Sequence, residues 1–243
     1  MESNVFELKG LYNEAINYIE SKKEKNLAFV PAICGADYEN CNSKIMIVGR
    51  APNGWSMDFY ENINCVPKNW FDAGLSWVYQ NGPKKRNGEE HKASIKNSKY
   101  WQFVRYLMFK SGNCKNANFT DGLVWTNLFK ISNRNLGNPD DSTCKETLQI
   151  MDNILCAEIK YYKPQEIWFM TKKNKKAVGE YENNNSADNW LYWVFNGKLA
   201  FEKTLNFIND NNVLAKMFYR PEYRKFDEIE KGILLKDIEI PEL

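Results

Sequence analysis

Apolar residues recur along this chain in two periods. From Val5 to Lys22, Leu8, Leu11, Tyr12, Ala15, Ile16 and Ile19 fall at three- and four-residue steps, which predicts a helix with one apolar stripe. Trp101, Val104, Leu107 and Met108 do the same between Ser98 and Lys110, with Phe103 beside them and Gly112 as the stop. Thr143-x-x-Glu146 has the form of a capping box and opens a third helix, with Leu148, Met151, Leu155 and Ile159 as its stripe and Pro164 as its end. Phe226–Leu235 reads as a closing helix, and Ala177–Tyr181 as a short one.

Between the helices stand short apolar runs bounded by turn residues: Ile45–Gly49, Gly122–Asn127, Glu166–Met170 and Val213–Tyr219. Continuous apolar runs of this length suit parallel strands covered on both faces. Leu199–Phe207 reads as one more strand, and Leu128–Pro139 as a polar loop. Strand and helix alternate, so the expectation is an α/β fold with a parallel sheet and helices on both faces. No Gly/Ser or Pro-rich linker divides the 243 residues, which predicts one domain over 1–243, with the N-terminal helix 5–22 packed on it.

Three of the strands end in polar punctuation. Gly49-Arg50-Ala51-Pro52-Asn53-Gly54-Trp55 follows the first, Asn127 with Lys130 the second, and Tyr219-Arg220-Pro221 the last. Parallel strands bring these ends to one sheet edge, where open α/β sheets bind ligands. A tight connection without a ligand is the plain alternative for each. Asn127 suits a turn as well as a pocket. Arg50 suits a phosphate or a buried acid, and Trp55 a stacked base or the core beneath the loop. Asp58 is a surface carboxylate on the plain reading.

Composition narrows the chemistry. Net charge is +2, from 33 Lys+Arg against 31 Asp+Glu, so only a local basic strip would serve nucleic acid. The single histidine, His91, lies in the polar run Lys84–Lys92, which argues against a Ser-His-Asp triad. The six cysteines form no C-x-x-C pair, and no signal peptide is recognisable. They read as reduced thiols in a cytoplasmic protein without a metal or other cofactor. No stretch approaches ~18 apolar residues, so no membrane span is expected. Aromatics are 14% of the chain, and many fall in Trp55–Tyr79, either as a stacking platform or as a satellite core.

In order and content the strand-end loops resemble the uracil-DNA glycosylase superfamily. The matching residues are Gly49-Arg50-Ala51-Pro52 as a G-x-x-P loop, Asn127 with Lys130 three residues on, Pro139 before the next helix, and Lys163-Pro164 before the third strand. The likeness runs from about Ile45 to Arg224. It implies a three-layer α/β/α sandwich with a central four-stranded parallel sheet. It also implies an enzyme that flips a base from DNA into a pocket and cuts its glycosidic bond. By position Gly49–Trp55 would face the sugar and the attacking water, Asn127 and Lys130 would lie at the base, and Tyr219–Pro221 would stand where the family has His-Pro-Ser. The resemblance implies no cofactor, since the cysteine pattern of the iron–sulfur branch is absent.

Two departures mark the chain. The first loop has Arg50 and Ala51 where active members carry an acid or amide, and Tyr219 or Arg220 replaces the histidine. Asn53 or Asp58 would then orient water, and Arg220 would stabilise an anionic leaving group. Three functions stay open: a base-excision enzyme with altered catalytic residues, a non-catalytic binding module on the same fold, and an enzyme acting on a free nucleoside or nucleotide. Each makes DNA or a nucleobase-containing molecule the partner of a monomeric protein.

Overall fold

A computed structural model of the protein describes residues 2–52, 98–112, 119–133, 138–172, 194–195, 198–219, 221 and 225–235. Helix α1 (Glu2–Ser21) is followed by β1 (Leu27–Phe29), β2 (Ile33–Cys34) and β3 (Ile45–Gly49). Then come α2 (Lys99–Lys110), β4 (Leu123–Asn127), β5 (Ile131–Asn133), α3 (Asp141–Tyr162) and β6 (Glu166–Lys172). The chain continues with β7 (Val194–Phe195), β8 (Lys198–Leu199), α4 (Glu202–Asp210), β9 (Leu214–Tyr219), α5 (Phe226–Ile229) and β10 (Ile233–Leu234).

The main sheet has six strands in the order β10-β9-β6-β3-β4-β2. Strands β9, β6, β3 and β4 are parallel to their neighbours, while β10 and β2 pair antiparallel at the two edges. The sheet is therefore mixed and wider than the four strands expected. Both edge strands are two residues long, which leaves little exposed edge for another chain to pair with.

Alternation along the strands sends side chains into two cores. Met46, Val48, Val124, Ile167, Phe169 and Met217 pack with apolar residues of α1, α3 and α4. Ile45, Ile47, Leu123, Trp125, Trp168 and Phe218 pack with α2 and Ile229 of α5. Ile45, Met46, Ile47 and Val48 are each 0% exposed, and burying such a side chain is worth roughly 1.5–3 kcal/mol. The central strand thus anchors both layers. No described helix is long and apolar enough to cross a membrane.

Several boundaries differ from the sequence reading, each for a visible reason. Helix α3 starts earlier than the Thr143–Glu146 box: Asp140 is its N-cap and accepts from Thr143 N at 2.6 Å. Glu146 instead ties α3 to α1, accepting from Tyr18 Oη at 3.0 Å and pairing with Lys22 at 3.0 Å. The 199–207 stretch is mostly helix α4, because Phe201, Leu205 and Ile208 fall on one buried face. Its first turn has no cap of its own. Asp152 of α3 reaches across instead, accepting from Lys203 N and Thr204 N at 2.9 Å each.

The 226–235 stretch is not one helix. It turns at Gly232, with φ +60°, and its last residues pair with β9. A Cβ at Gly232 would meet the Phe218 ring at 2.9 Å, so the turn also needs the missing side chain. The polar loop after Asn127 contains buried Leu128, Phe129 and Lys130, then β5, which pairs antiparallel with β1. The expected helix at 177–181 and the aromatic and basic segments between 56 and 92 lie outside the described residues.

Candidate functional site

The parallel core brings the carboxyl ends of β3, β4, β6 and β9 to one edge. There Gly49 and Asn127 are register partners on adjacent strands. The pairing continues past the strands: Leu128 N donates to Gly49 O at 2.8 Å, and Phe129 N to Arg50 O at 2.9 Å. The start of the first loop is thereby fixed against the residues that follow Asn127. The pairing of β5 with β1 holds the other end of that return. Both Gly49 and Asn127 therefore sit on rigid backbone, as a binding constellation requires.

Glycine at position 49 has a steric cause. A Cβ there would lie 2.4 Å from Asn127 Oδ1 and 3.4 Å from the Tyr100 hydroxyl. The Asn127 amide occupies the space that a side chain on β3 would fill. Tyr100, in the first turn of α2, adds a wall on the same side, and its hydroxyl accepts from Trp125 Nε1 at 3.2 Å. Asn127 is 2% exposed, and its Nδ2 has no hydrogen-bond partner. A buried donor without a partner costs ~1–3 kcal/mol, so a folded protein seldom keeps one without a use.

Beneath Asn127, on the other face of the sheet, lies a closed ionic cluster. Lys130 and Glu158 are both fully buried and pair at 3.0 Å. Glu158 also accepts from Tyr12 Oη of α1 and Thr126 Oγ1 of β4, each at 2.8 Å. Lys130 Nζ donates to the main-chain carbonyl of Asn127. Burial lowers the Lys130 pKa, and the Glu158 carboxylate opposes that shift. Burial and its bond to Glu158 push the Tyr12 hydroxyl well above its ordinary range. Lys130 is thus enclosed under the site and fixes the backbone of Asn127. Its ammonium is already engaged with Glu158 and the Asn127 carbonyl.

Of the other residues singled out from the sequence, Arg50 is half-buried, Ala51 packs against the core that contains α1 and α3, and Pro52 is buried. Tyr219 ends β9 with its side chain against the opposite core, and Pro221 is buried. Asn53, Gly54, Trp55, Asp58 and Arg220 lie outside the described residues. Among the described residues no group of three or more His, Cys, Asp or Glu side chains is placed to hold a metal ion. A separate shallow groove lies on the outer surface, lined by Gln102, Arg105, Tyr106, Phe109, Lys110 and Phe226. It does not include Asn127.

Sequence reasoning missed Tyr100 and the Glu158 cluster. A signal for Glu158 existed, since a carboxylate stands among Leu155, Ile159 and Tyr162 on the buried side of α3. For Tyr100 there was none, because its role depends on where α2 crosses β3 and β4. Compared with protein-family models and with curated proteins, the chain has no match.

Proposed function

We propose that this chain is a uracil-DNA-glycosylase-like protein that takes a nucleobase, flipped from DNA, at the edge formed by Gly49–Pro52, Asn127 and Tyr219–Pro221. The observation that carries the reading is the Asn127 carboxamide, buried at a strand end with its Nδ2 unpaired beside Gly49 and Tyr100. A pyrimidine edge presents a carbonyl and a ring N–H side by side. An amide answers both, donating through Nδ2 and accepting through Oδ1. The parallel block β4-β3-β6-β9, with helices packed on each face, is consistent with the three-layer sandwich of that superfamily.

In this reading, water adds to the sugar C1′ and the bond from C1′ to the base nitrogen breaks. Its electron pair leaves with the base, which Arg220 stabilises as an anion while Asn53 or Asp58 orients the water, and the proton that the water loses passes to solvent. A binding module without chemistry is the second reading. It is favoured by the first loop, where Arg50 and Ala51 supply neither carboxylate nor amide and Ala51 is packed against the core.

The test is excision from single- and double-stranded oligonucleotides carrying uracil, hypoxanthine or mismatched thymine, with Asn127→Ala and Arg220→Ala as controls. Abasic sites formed by the wild type and lost in both variants would support the enzyme. Salt-sensitive binding without cleavage, weakened by Asn127→Ala, would support the module. Neither binding nor cleavage would refute both.

A further inference from the structure

The peptide unit that joins Asn127 to Leu128 is held at both ends. Leu128 N donates to Gly49 O of β3 at 2.8 Å. Backbone groups of successive strand residues face alternate neighbours, so the Asn127 carbonyl faces away from β3, toward β2. Strand β2 pairs with β4 at Ile33↔Trp125 and Cys34↔Val124. Two more steps of that register would set Pro31 opposite Asn127, and proline has no N–H to donate. Lys130 Nζ supplies the donor that the strand lacks. A peptide unit is planar, so the two bonds together fix its tilt. One residue earlier, the Thr126 hydroxyl is bound to Glu158 at 2.8 Å. The Asn127 carboxamide leaves the backbone between these anchors, and its direction follows theirs.

A buried ammonium is an expensive donor for one carbonyl. Lys130 and Glu158 are both 0% exposed, and a buried pair of this kind stabilises a fold little more than apolar side chains of similar volume would. What the charge adds is a stronger and more directional bond than a neutral donor makes. That bond ends on the residue whose side chain is unpaired at the sheet edge. Lys130 lies on the other face of the sheet, with its ammonium already engaged, so it acts through Asn127 and does not reach the base itself.

We infer that Lys130 is a positioning residue for base recognition: its ammonium, kept charged by Glu158, aims the Asn127 amide through the Asn127 main-chain carbonyl. The inference rests on the base-binding reading above and extends it, making base affinity depend on a charge buried on the far side of the sheet.

The probe is free uracil, titrated by calorimetry into wild type, Asn127→Ala, Tyr12→Phe and the double variant Lys130→Met/Glu158→Gln. The double variant removes both charges and keeps an acceptor for Tyr12 and Thr126, so its melting temperature should return close to that of the wild type. Its uracil affinity should nonetheless stay about tenfold below wild type. Tyr12→Phe removes a bond to Glu158 and leaves the Lys130 bond in place. It should lower the melting temperature and keep wild-type affinity. A second arm titrates Glu158→Gln between pH 7 and 10. Glu158 and Asp152 are the charges that favour the ammonium, and without Glu158 burial drives the proton off Lys130 at lower pH. Stability should then rise with pH while uracil affinity falls several-fold, read as a ratio to wild type at each pH so that ionisation of uracil cancels.

A double variant that regains both melting temperature and uracil affinity would overturn the inference and leave Lys130 a structural residue. So would a loss of affinity in Tyr12→Phe as large as in the double variant, since affinity would then only track stability. If the double variant stays destabilised, the pH arm decides, and an affinity ratio that does not change with pH in Glu158→Gln overturns the assignment. If the wild type binds uracil no better than Asn127→Ala, the base-binding reading fails and this inference falls with it.

Discussion

The buried pair beneath the site supports a quantitative test. Lys130 and Glu158 are both 0% exposed and 3.0 Å apart, and Glu158 holds two further donors, Tyr12 and Thr126. Lys130→Met would leave a carboxylate in the core with two hydroxyl donors and no cation. Removing one partner of such a pair costs ~3–5 kcal/mol. In a domain of this size 1 kcal/mol shifts the melting temperature by about 2–4 °C, so a fall of roughly 6–20 °C is expected. The double variant Lys130→Met/Glu158→Gln removes both charges and keeps an acceptor for Tyr12 and Thr126. It should recover most of the loss, with a coupling energy of at least ~2 kcal/mol in the cycle.

Glu158→Gln alone adds a pH signature. It removes the charge that opposes burial, so the ammonium of Lys130 falls further below its ordinary pKa. The unfolded chain then holds that proton more tightly than the folded one, and stability should rise with pH toward the unfolded lysine value of ~10.4. The assay is equilibrium urea unfolding of the four proteins between pH 7 and 10. Single variants within ~1 kcal/mol of wild type, or a cycle that adds without coupling, would refute the account of a closed ionic cluster.

Other expectations follow from the same contacts. Gly49→Ala should displace the Asn127 amide, whose Oδ1 lies 2.4 Å from the new methyl position. It should abolish uracil binding at a stability cost of about 1–3 kcal/mol, read by titration and thermal melting together. Asp152→Ala should uncap α4 and expose three donors, costing about 1–2 kcal/mol by urea unfolding, with hydrogen exchange rising first at Lys203 and Thr204. Ser142, Lys22 and Tyr18 pull the Glu146 carboxyl down to about 2. Its stabilising effect is present above the unfolded value of ~4.3 and fades as pH falls through about 2. The stability gap between wild type and Glu146→Gln should therefore be constant above pH ~5 and close below it, and a gap independent of pH would remove the contact from the account.

The local patterns that fixed element type were readable in the chain. Continuous apolar runs such as IMIV can be satisfied only between two covering layers, and the stripes of α1, α2 and α3 state which side of each helix is buried. Parallel pairing then places Gly49, Asn127 and Tyr219 at one edge. Their shared position was legible because a right-handed crossover returns each strand in the same direction.

What the tertiary structure decided depends on partners distant in sequence. Asp140 caps α3, while Glu146 is engaged by Tyr18 of α1 and by Lys22 just beyond the end of that helix. Residues 202–210 form a helix whose cap is supplied by Asp152, about fifty residues away. Lys130 reads as a polar loop residue, yet it is buried because Glu158 meets it from α3. The same holds at the site. The sequence offers Asn127 for either a turn or a pocket, and its unpaired amide has meaning only once Gly49 and Tyr100 are packed against it.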